Sequence, residues 1–182
     1  MVWIIIAVIV VLLIIYLIST YNAFVRLRNS VREAFSTMDV YLKKRWDMIP
    51  NLVETVKGYA KHEKETLEGV VKLRNSAYDS MSMEEKIATN QELSRGITKI
   101  MALAEAYPDL KANTNFTDLS NQLTKVEEDI ANSRKYYNAV VRRYNDKVEM
   151  FPSNLVASIF KFSKETFFEA DETERENVKV KF

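Results

Sequence analysis

The sequence predicts an all-α protein in which an N-terminal transmembrane helix is followed by an antiparallel up-down bundle of three long helices and a short fourth helix. Three observations support this fold class. The chain begins with a long uncharged apolar run, it has only three glycines and three prolines among 182 residues, and its charged remainder carries heptad-spaced apolar residues. Sheets need more turn residues than this chain contains, whereas long amphipathic helices need few.

The transmembrane helix is predicted from 17 consecutive uncharged residues, Val2 to Ile18, which are nearly all valine, isoleucine and leucine. At about 1.5 Å per residue the run spans roughly 26 Å, and the uncharged residues after it extend it past a hydrocarbon core of about 30 Å. Trp3 and Tyr21 stand near its two ends, where interfacial aromatic residues are expected. We therefore expect a single span from Val2 to about Tyr21, within an anchor of residues 1–25.

A cleaved signal peptide is the alternative to a permanent anchor. No positive residue precedes the run, no small-residue cleavage site follows it, and it exceeds the usual ~7–15 apolar residues, so a retained anchor is favoured. The first charged residue is Arg26, and Arg28 and Arg32 follow it. The positive-inside rule then predicts a single-pass protein of the inner (plasma) membrane, with its N-terminus outside and its C-terminal domain in the cytoplasm.

The first bundle helix is predicted from an apolar seam that alternates steps of four and three residues from Val31 to Glu63 and resumes from Leu67 to Ala77. Pro50 lies inside this seam, but the phase is the same on both sides of it. We interpret the segment as one long helix, kinked near residues 47–50 and continuous with the anchor or close to it. A true break at Pro50 is the alternative.

The second helix is predicted to begin at a capping box formed by Ser82 and Glu85 and to end at Pro108. A polar linker, residues 109–114, separates it from the third helix. That helix carries a nearly pure heptad seam over residues 115–151 and is closed by a proline at the next position.

Residues 154–162 can form the short fourth helix, so the predicted bundle covers residues 26–170 and a flexible charged tail covers residues 171–182. The seams could instead meet other copies of the chain in a coiled coil. A heptad pattern does not distinguish partners within one chain from partners in another.

The composition gives little support to metal or cofactor chemistry. The chain has one histidine, His62, and no cysteine, which excludes a zinc site built from those ligands and a cysteine nucleophile. Glu63, Glu65 and Glu68 could form a carboxylate-only metal site, but charges of mixed sign are typical of a solvated helix face. The glycines are isolated, and a net charge of +1 does not favour nucleic acid. We predict no enzyme, catalytic residue, metal, cofactor or small-molecule substrate.

Two charged residues, Arg45 and Glu63, occupy seam positions that are otherwise apolar. A buried charge needs a partner, and the two are roughly 27 Å apart on one helix, so each must find its partner on another helix. Stacking three helices up-down-up suggests a buried polar network in which Arg45 pairs with Asp118 and Glu63 pairs with Arg134. The alternative is that both side chains reach solvent at the edge of the seam.

A phenylalanine-rich segment near the end of the bundle is the candidate surface for contact with a membrane or a partner protein. Its apolar residues are Ile159, Phe160, Phe162, Phe167 and Phe168. An amphipathic segment of this kind can lie in a membrane interface.

Several long motifs, in the same order, resemble the signature of the LemA family. They are residues 39–63 (DVYLKKRWDMIPNLVETVKGYAKHE), residues 104–116 (AEAYPDLKANTNF), two Tyr-Asn pairs at 137–138 and 144–145, and residues 151–154 (FPSN). The resemblance extends from the anchor to about Ala170. It implies a bacterial-type membrane protein with one N-terminal anchor, a cytoplasmic helical bundle and no established enzymatic activity. The chain departs from the family at Lys161, where a glycine is expected, and at Thr166, where a proline is common.

These observations predict a membrane-anchored helical scaffold or adaptor at the cytoplasmic face of the membrane, which binds partner proteins, assembles with copies of itself, or does both. The alternative is a helical coat protein that binds lipid and shapes the membrane, with the phenylalanine-rich segment as its lipid contact.

Overall fold

The computed structural model describes residues 1–60, 63–74 and 78–168. Within these ranges all regular structure is helical, which confirms the predicted all-α fold class. The helices are α1 (Val2–Lys57), α2 (Lys64–Arg74), α3 (Met83–Ala106), α4 (Pro108–Lys111), α5 (Thr114–Glu149) and α6 (Ser153–Ile159), with a 3-10 turn at Tyr78–Ser80. The three long helices are α1, α3 and α5, and α6 is the predicted short one. The predicted tail, residues 171–182, lies outside the described residues.

The chain forms two compact units. The first contains residues 1–36 and 135–167, and the second contains residues 37–134 together with Phe168. Helices α1 and α5 contribute to both units because each is long.

In the first unit α1 and α5 run antiparallel. The ring centre of Phe35 lies 5.9 Å from that of Tyr137, and the ring centre of Phe24 lies 6.2 Å from that of Tyr144. Residue numbers therefore increase along α1 in the direction in which they decrease along α5. The N-terminal part of α1 projects without any protein cover, since every residue from Met1 to Ser19 is exposed. Protein packing begins at Thr20 and Phe24, earlier than the predicted boundary between anchor and bundle at residues 25 and 26.

Helix α6 ends in a Schellman motif that is centred on Lys161. The Phe162 N–H donates to the Ala157 carbonyl at 2.9 Å, and the Lys161 N–H donates to the Ser158 carbonyl at 3.4 Å. This geometry requires a left-handed residue between them, and Lys161 has φ 56°. The glycine that the family resemblance implies here would adopt this left-handed conformation without strain. Lysine adopts the same conformation at a cost.

In the second unit the prediction of one helix extending to Ala77 is wrong, and so is the alternative of a break at Pro50. Helix α1 continues through Pro50 and ends at Lys57, beside Gly58. The chain then reverses, and α2 packs against α3. The reversal lets Leu67 and Val70 become buried. Packing in the tertiary structure therefore overrides the apolar seam, which taken alone predicts a longer helix. Ala77 itself lies outside the described residues.

This reversal sets the direction of every later helix in the second unit. Helix α3 runs in the same direction as α1, because Lys86 bonds Asp39 and Asn90 bonds Arg45. Helix α5 runs against α1, and its first turn lies at the C-terminal end of α1, where Asn113 donates to the Tyr59 hydroxyl at 2.8 Å.

The start and end of α3 follow the sequence closely. The Ser82 side chain accepts from the Glu85 N–H at 3.2 Å and the Glu85 carboxylate accepts from the Ser82 N–H at 2.7 Å, which confirms the predicted capping box. Hydrogen bonds from the Ser82 backbone and side chain lower the pKa of Glu85. Pro108 does not simply end α3, since it occupies the first turn of α4, a position that suits a residue without an N–H.

Candidate functional site

The most deeply buried charge in the second unit belongs to Arg45, which is 1% exposed. Helix α1 places it on the face that α3 and α5 cover. One terminal nitrogen, Nη1, donates to both carboxylate oxygens of Glu127 at 2.7 and 2.9 Å and to the Ser94 hydroxyl at 2.7 Å. The other, Nη2, donates to the side-chain oxygen of Asn90 at 2.7 Å and to its carbonyl at 3.0 Å. The guanidinium group therefore connects three helices.

The two groups on α3 are held by their own helix. The Asn90 side chain is fully buried, and its amide donates to the Lys86 carbonyl at 2.8 Å. The Ser94 hydroxyl donates to the Asn90 carbonyl at 3.1 Å. Both bonds join residues four positions apart on α3, so the acceptors for Arg45 are oriented before the guanidinium reaches them.

A cavity of about 350 Å3 lies beside this cluster. Its charged lining is balanced, with Arg45 and Arg134 opposed by Glu127 and Glu128, and most of the remaining surface is apolar. The guanidinium of Arg134 lies over the ring of Phe168 at 5.9 Å. A balanced lining does not favour an anionic or a cationic ligand, and the Arg45 Nη atoms are already saturated by protein groups. The arrangement is suited to fixing the register of three helices.

The structure places the four residues of the predicted polar network differently from the prediction. Arg45 is paired with Glu127 and not with Asp118, which lies nine positions earlier on α5. Glu63 accepts from the Tyr107 hydroxyl at 3.4 Å, and Arg134 lines the cavity beside Arg45. The physical reason is the reversal after Lys57. It places the beginning of α5 at the C-terminal end of α1, so the middle of α5 comes level with Arg45.

A second buried cluster surrounds Tyr78. Its hydroxyl donates to Asp39 Oδ1 at 2.6 Å, and the Lys86 ammonium donates to Asp39 Oδ2 at 2.7 Å while lying 4.7 Å from the Tyr78 ring centre. The Trp46 ring packs on Tyr78 at 5.1 Å. Burial, reinforced by the bond to Asp39, raises the pKa of Tyr78 well above its ordinary value. The phenol is therefore a neutral structural donor.

The first unit contains an aromatic cluster where α6 meets α1. Phe162 stacks on Phe24 with ring centres 4.8 Å apart, and Phe160 meets the Tyr21 ring edge-on at 4.8 Å. The guanidinium of Arg28 lies over the Phe162 ring at 5.3 Å. Nearby, burial and the Glu165 carboxylate raise the pKa of Tyr144.

The residues that the sequence predicts as a membrane or partner surface fall into two groups, exposed and buried. Ile159 is 66% exposed, Phe160 is 48% exposed and Phe167 is 37% exposed, so these three are available for contact. Phe162 and Phe168 are buried inside their own units and are not available. The sequence does not distinguish these phenylalanines from one another, although two of them are core residues.

Some members of these clusters carried a signal in the sequence. Asn90 lies three positions from both Ile87 and Leu93, which are buried on α3. A polar residue at a position that this spacing reserves for apolar side chains is a signal of a buried polar contact. Glu127 and Asp39 look like ordinary surface carboxylates in the sequence, and only the packing of the helices identifies them. Among the described residues no group of three or more histidine, cysteine, aspartate or glutamate side chains could hold a metal ion. His62 lies outside the described residues.

Comparison with known proteins places these motifs in context. The sequence model of the LemA family matches residues 34–182. Protein LemA of Metamycoplasma hominis is 28% identical over 161 residues, which cover 86% of this chain and 72% of that protein. Magnetosome protein MamQ 1 of Paramagnetospirillum magneticum is 23% identical over 179 residues, which cover 84% of this chain and 66% of that protein. Magnetosome protein MamQ of Magnetospirillum gryphiswaldense is 22% identical over 181 residues, which cover 84% of this chain and 65% of that protein.

Proposed function

The chain belongs to the LemA family, and on this premise we propose that it is a non-enzymatic scaffold or adaptor, anchored in the bacterial inner membrane and acting at its cytoplasmic face. It presents its helical bundle there to partner proteins, to further copies of itself, or to both. The family and the apolar N-terminal helix support the more general statement that this is a membrane-associated helical protein.

The observation that carries this proposal is the character of α1. From Met1 to Ser19 it is exposed on all sides and apolar, and after Thr20 the same helix enters a packed core. A helix satisfies its own backbone hydrogen bonds, so the exposed part can cross lipid while the rest remains in water. A transmembrane segment that continues without interruption into the bundle orients whatever surface the bundle presents.

Two further points support a binding role over catalysis. The buried groups Arg45 and Tyr78 and the partly buried Asp39 are engaged with neighbouring protein groups, in an arrangement that holds helices together. None of the relatives compared above has a name that denotes an enzyme. We propose residues 1–25 as the anchor, residues 26–170 as the bundle and residues 171–182 as a tail.

The orientation can be tested by labelling because the chain contains no cysteine. One cysteine would be introduced in a short polar extension fused before Met1, outside the predicted span that begins at Val2, and another by Tyr136→Cys on the exposed face of α5. An impermeant maleimide applied to intact spheroplasts should label the first and should label the second only after the membrane is opened. Labelling of Tyr136→Cys in intact spheroplasts would contradict the cytoplasmic placement.

The scaffold role can be tested by particle mass. Full-length protein is extracted from native membranes in lipid nanodiscs and weighed by mass photometry, and its components are identified by mass spectrometry. We expect a particle that contains several copies or a second protein in fixed proportion. A particle that contains one copy alone, at cellular concentration, would contradict a stable scaffold.

A further inference from the structure

Helix α6 and the turn before it carry exposed apolar residues that protein does not cover in the first unit. We define the α6 patch as Met150, Phe151, Leu155, Ile159 and Phe160. Their exposed fractions are 63, 79, 56, 66 and 48%, respectively. Leu155 and Ile159 are four positions apart and share one helix face, opposite to the buried Val156 and Ala157.

We propose that the α6 patch is a second membrane contact, which inserts into the interface of the same leaflet where α1 leaves the bilayer. This inference rests on the proposed membrane anchoring and adds to it a specific lipid-facing surface. The occupant of the patch is the lipid interface itself, beside the anchor.

The position of the patch along α1 is the first argument. The fully exposed part of α1, Val2 to Ser19, is 18 residues long and spans about 27 Å, slightly less than a hydrocarbon core of about 30 Å. The bilayer boundary therefore falls close to Tyr21. Phe160 touches the Tyr21 ring at 4.8 Å, which places the end of α6 at this boundary.

The chemistry of the patch is the second argument. Apolar and aromatic side chains bordered by basic ones are typical of segments that lie in a membrane interface. Lys161 follows the patch directly and is exposed, and Arg26 is exposed on α1 one turn beyond Tyr21. Both can reach anionic headgroups while the apolar side chains enter the region beneath them. Through the contact between Phe160 and Tyr21, the patch lies next to the end of the exposed apolar part of α1.

The test measures depth in the membrane at three single-cysteine positions of the full-length protein. Leu12→Cys lies in the anchor, Leu155→Cys lies in the α6 patch, and Tyr136→Cys is the matched control. Tyr136 is 58% exposed, like Leu155, but it neighbours Tyr137, whose ring contacts Phe35, about 21 Å along α1 from Tyr21. Each variant carries an environment-sensitive fluorophore in vesicles of phosphatidylcholine and phosphatidylglycerol that contain spin-labelled lipid.

The proposal expects strong quenching at positions 12 and 155 and little at position 136. Quenching at 12 but not at 155 would overturn the lipid contact and leave the anchor intact. Absence of quenching at 12 would overturn the anchor and, with it, the contact. A blue-shifted but unquenched probe at 155 would show that protein covers the patch, which would also overturn the proposal.

A second variant tests whether the patch itself causes the contact. Ile159→Asp places a charge on the same face as Leu155, at an exposed position where the fold does not need an apolar side chain. Combined with the labelled Leu155→Cys, it should reduce quenching at 155 and leave quenching of a labelled Leu12→Cys unchanged. Unchanged quenching at 155 would contradict an insertion driven by these side chains.

Discussion

Replacing Glu127 by glutamine is expected to lower the free energy of unfolding because Arg45 keeps its buried charge and loses its carboxylate partner. Arg45 is 1% exposed, and Glu127 accepts two of its hydrogen bonds, at 2.7 and 2.9 Å. Glutamine keeps the size of the side chain and one acceptor oxygen, so the substitution removes the negative charge without leaving a cavity.

The expected size follows from the unequal burial of the two partners. Removing one member of a fully buried ion pair costs about 3–5 kcal/mol. The Glu127 side chain is 39% exposed, so water screens this pair and the cost is smaller. Hydrogen bonds to a charged group are worth about 1.5–3 kcal/mol, and glutamine retains part of that interaction. We expect a loss of about 1–3 kcal/mol.

This loss should depend on the presence of Arg45. In an Arg45→Met background there is no buried charge to leave unpaired, so Glu127→Gln should cost only about 0.5 kcal/mol or less. The coupling energy between the two substitutions should therefore be about 0.5–3 kcal/mol. Glu128→Gln, at the exposed neighbouring position, is the matched control and should stay within about 0.5 kcal/mol of the parent.

The assay is urea unfolding of the full-length protein in a non-ionic detergent. Trp46 is 4% exposed and packs on Tyr78 in the same unit, so its fluorescence reports this region. The other tryptophan, Trp3, is replaced by phenylalanine in every variant. An equal loss from Glu127→Gln with and without Arg45, or a loss no larger than that of Glu128→Gln, would refute the view that this ion pair joins the helices.

Three other predictions use the same unfolding measurement, followed by circular dichroism or absorbance. Gly69→Ala should raise the free energy of unfolding by up to about 1 kcal/mol, because the new Cβ meets nothing within 4 Å. Gly96→Ala should not show this gain, since its Cβ would lie 2.7 Å from Cγ2 of Val70; an equal gain would contradict close packing of α2 on α3. Lys161→Gly should stabilise by about 1 kcal/mol by relieving the left-handed backbone, and a loss would show that the lysine side chain is worth more than the strain. Burial raises the pKa of Tyr78, so the folded protein should lose stability as the pH rises above the ordinary tyrosine pKa of about 10; Tyr78→Phe should make this loss shallower, and tyrosinate absorbance from Tyr78 below that pH would contradict its burial.

A local signal predicted the start of α3 correctly. The capping box at Ser82 and Glu85 uses groups three positions apart, so the sequence contains everything needed to place the start of α3. The left-handed residue after α6 has no such signal, because a lysine occupies it and only the family resemblance implies a glycine there. Element boundaries that depend on nearby hydrogen bonds are visible without the fold.

The partner of Arg45 was not predictable in this way. The seam position predicted a buried Arg45 with a solvent-exposed seam edge as the alternative, but its choice of partner between Asp118 and Glu127 depends on the direction and register of α5. Those depend in turn on the reversal after Lys57, whereas the apolar seam runs on to Glu63 and resumes at Leu67. The driving force for the reversal is the burial of α2 against α3, which no local pattern records.

The sequence by itself determined the all-α class, the apolar N-terminal helix and the capping box that begins α3. Each follows from composition or from groups within a few residues of one another. The tertiary structure decided where the first bundle helix ends, which carboxylate neutralises Arg45, and which phenylalanines after α6 are core and which are exposed. These outcomes depend on contacts between residues far apart in the chain, because burial and ion pairing are properties of packed surfaces and not of spacing along one helix.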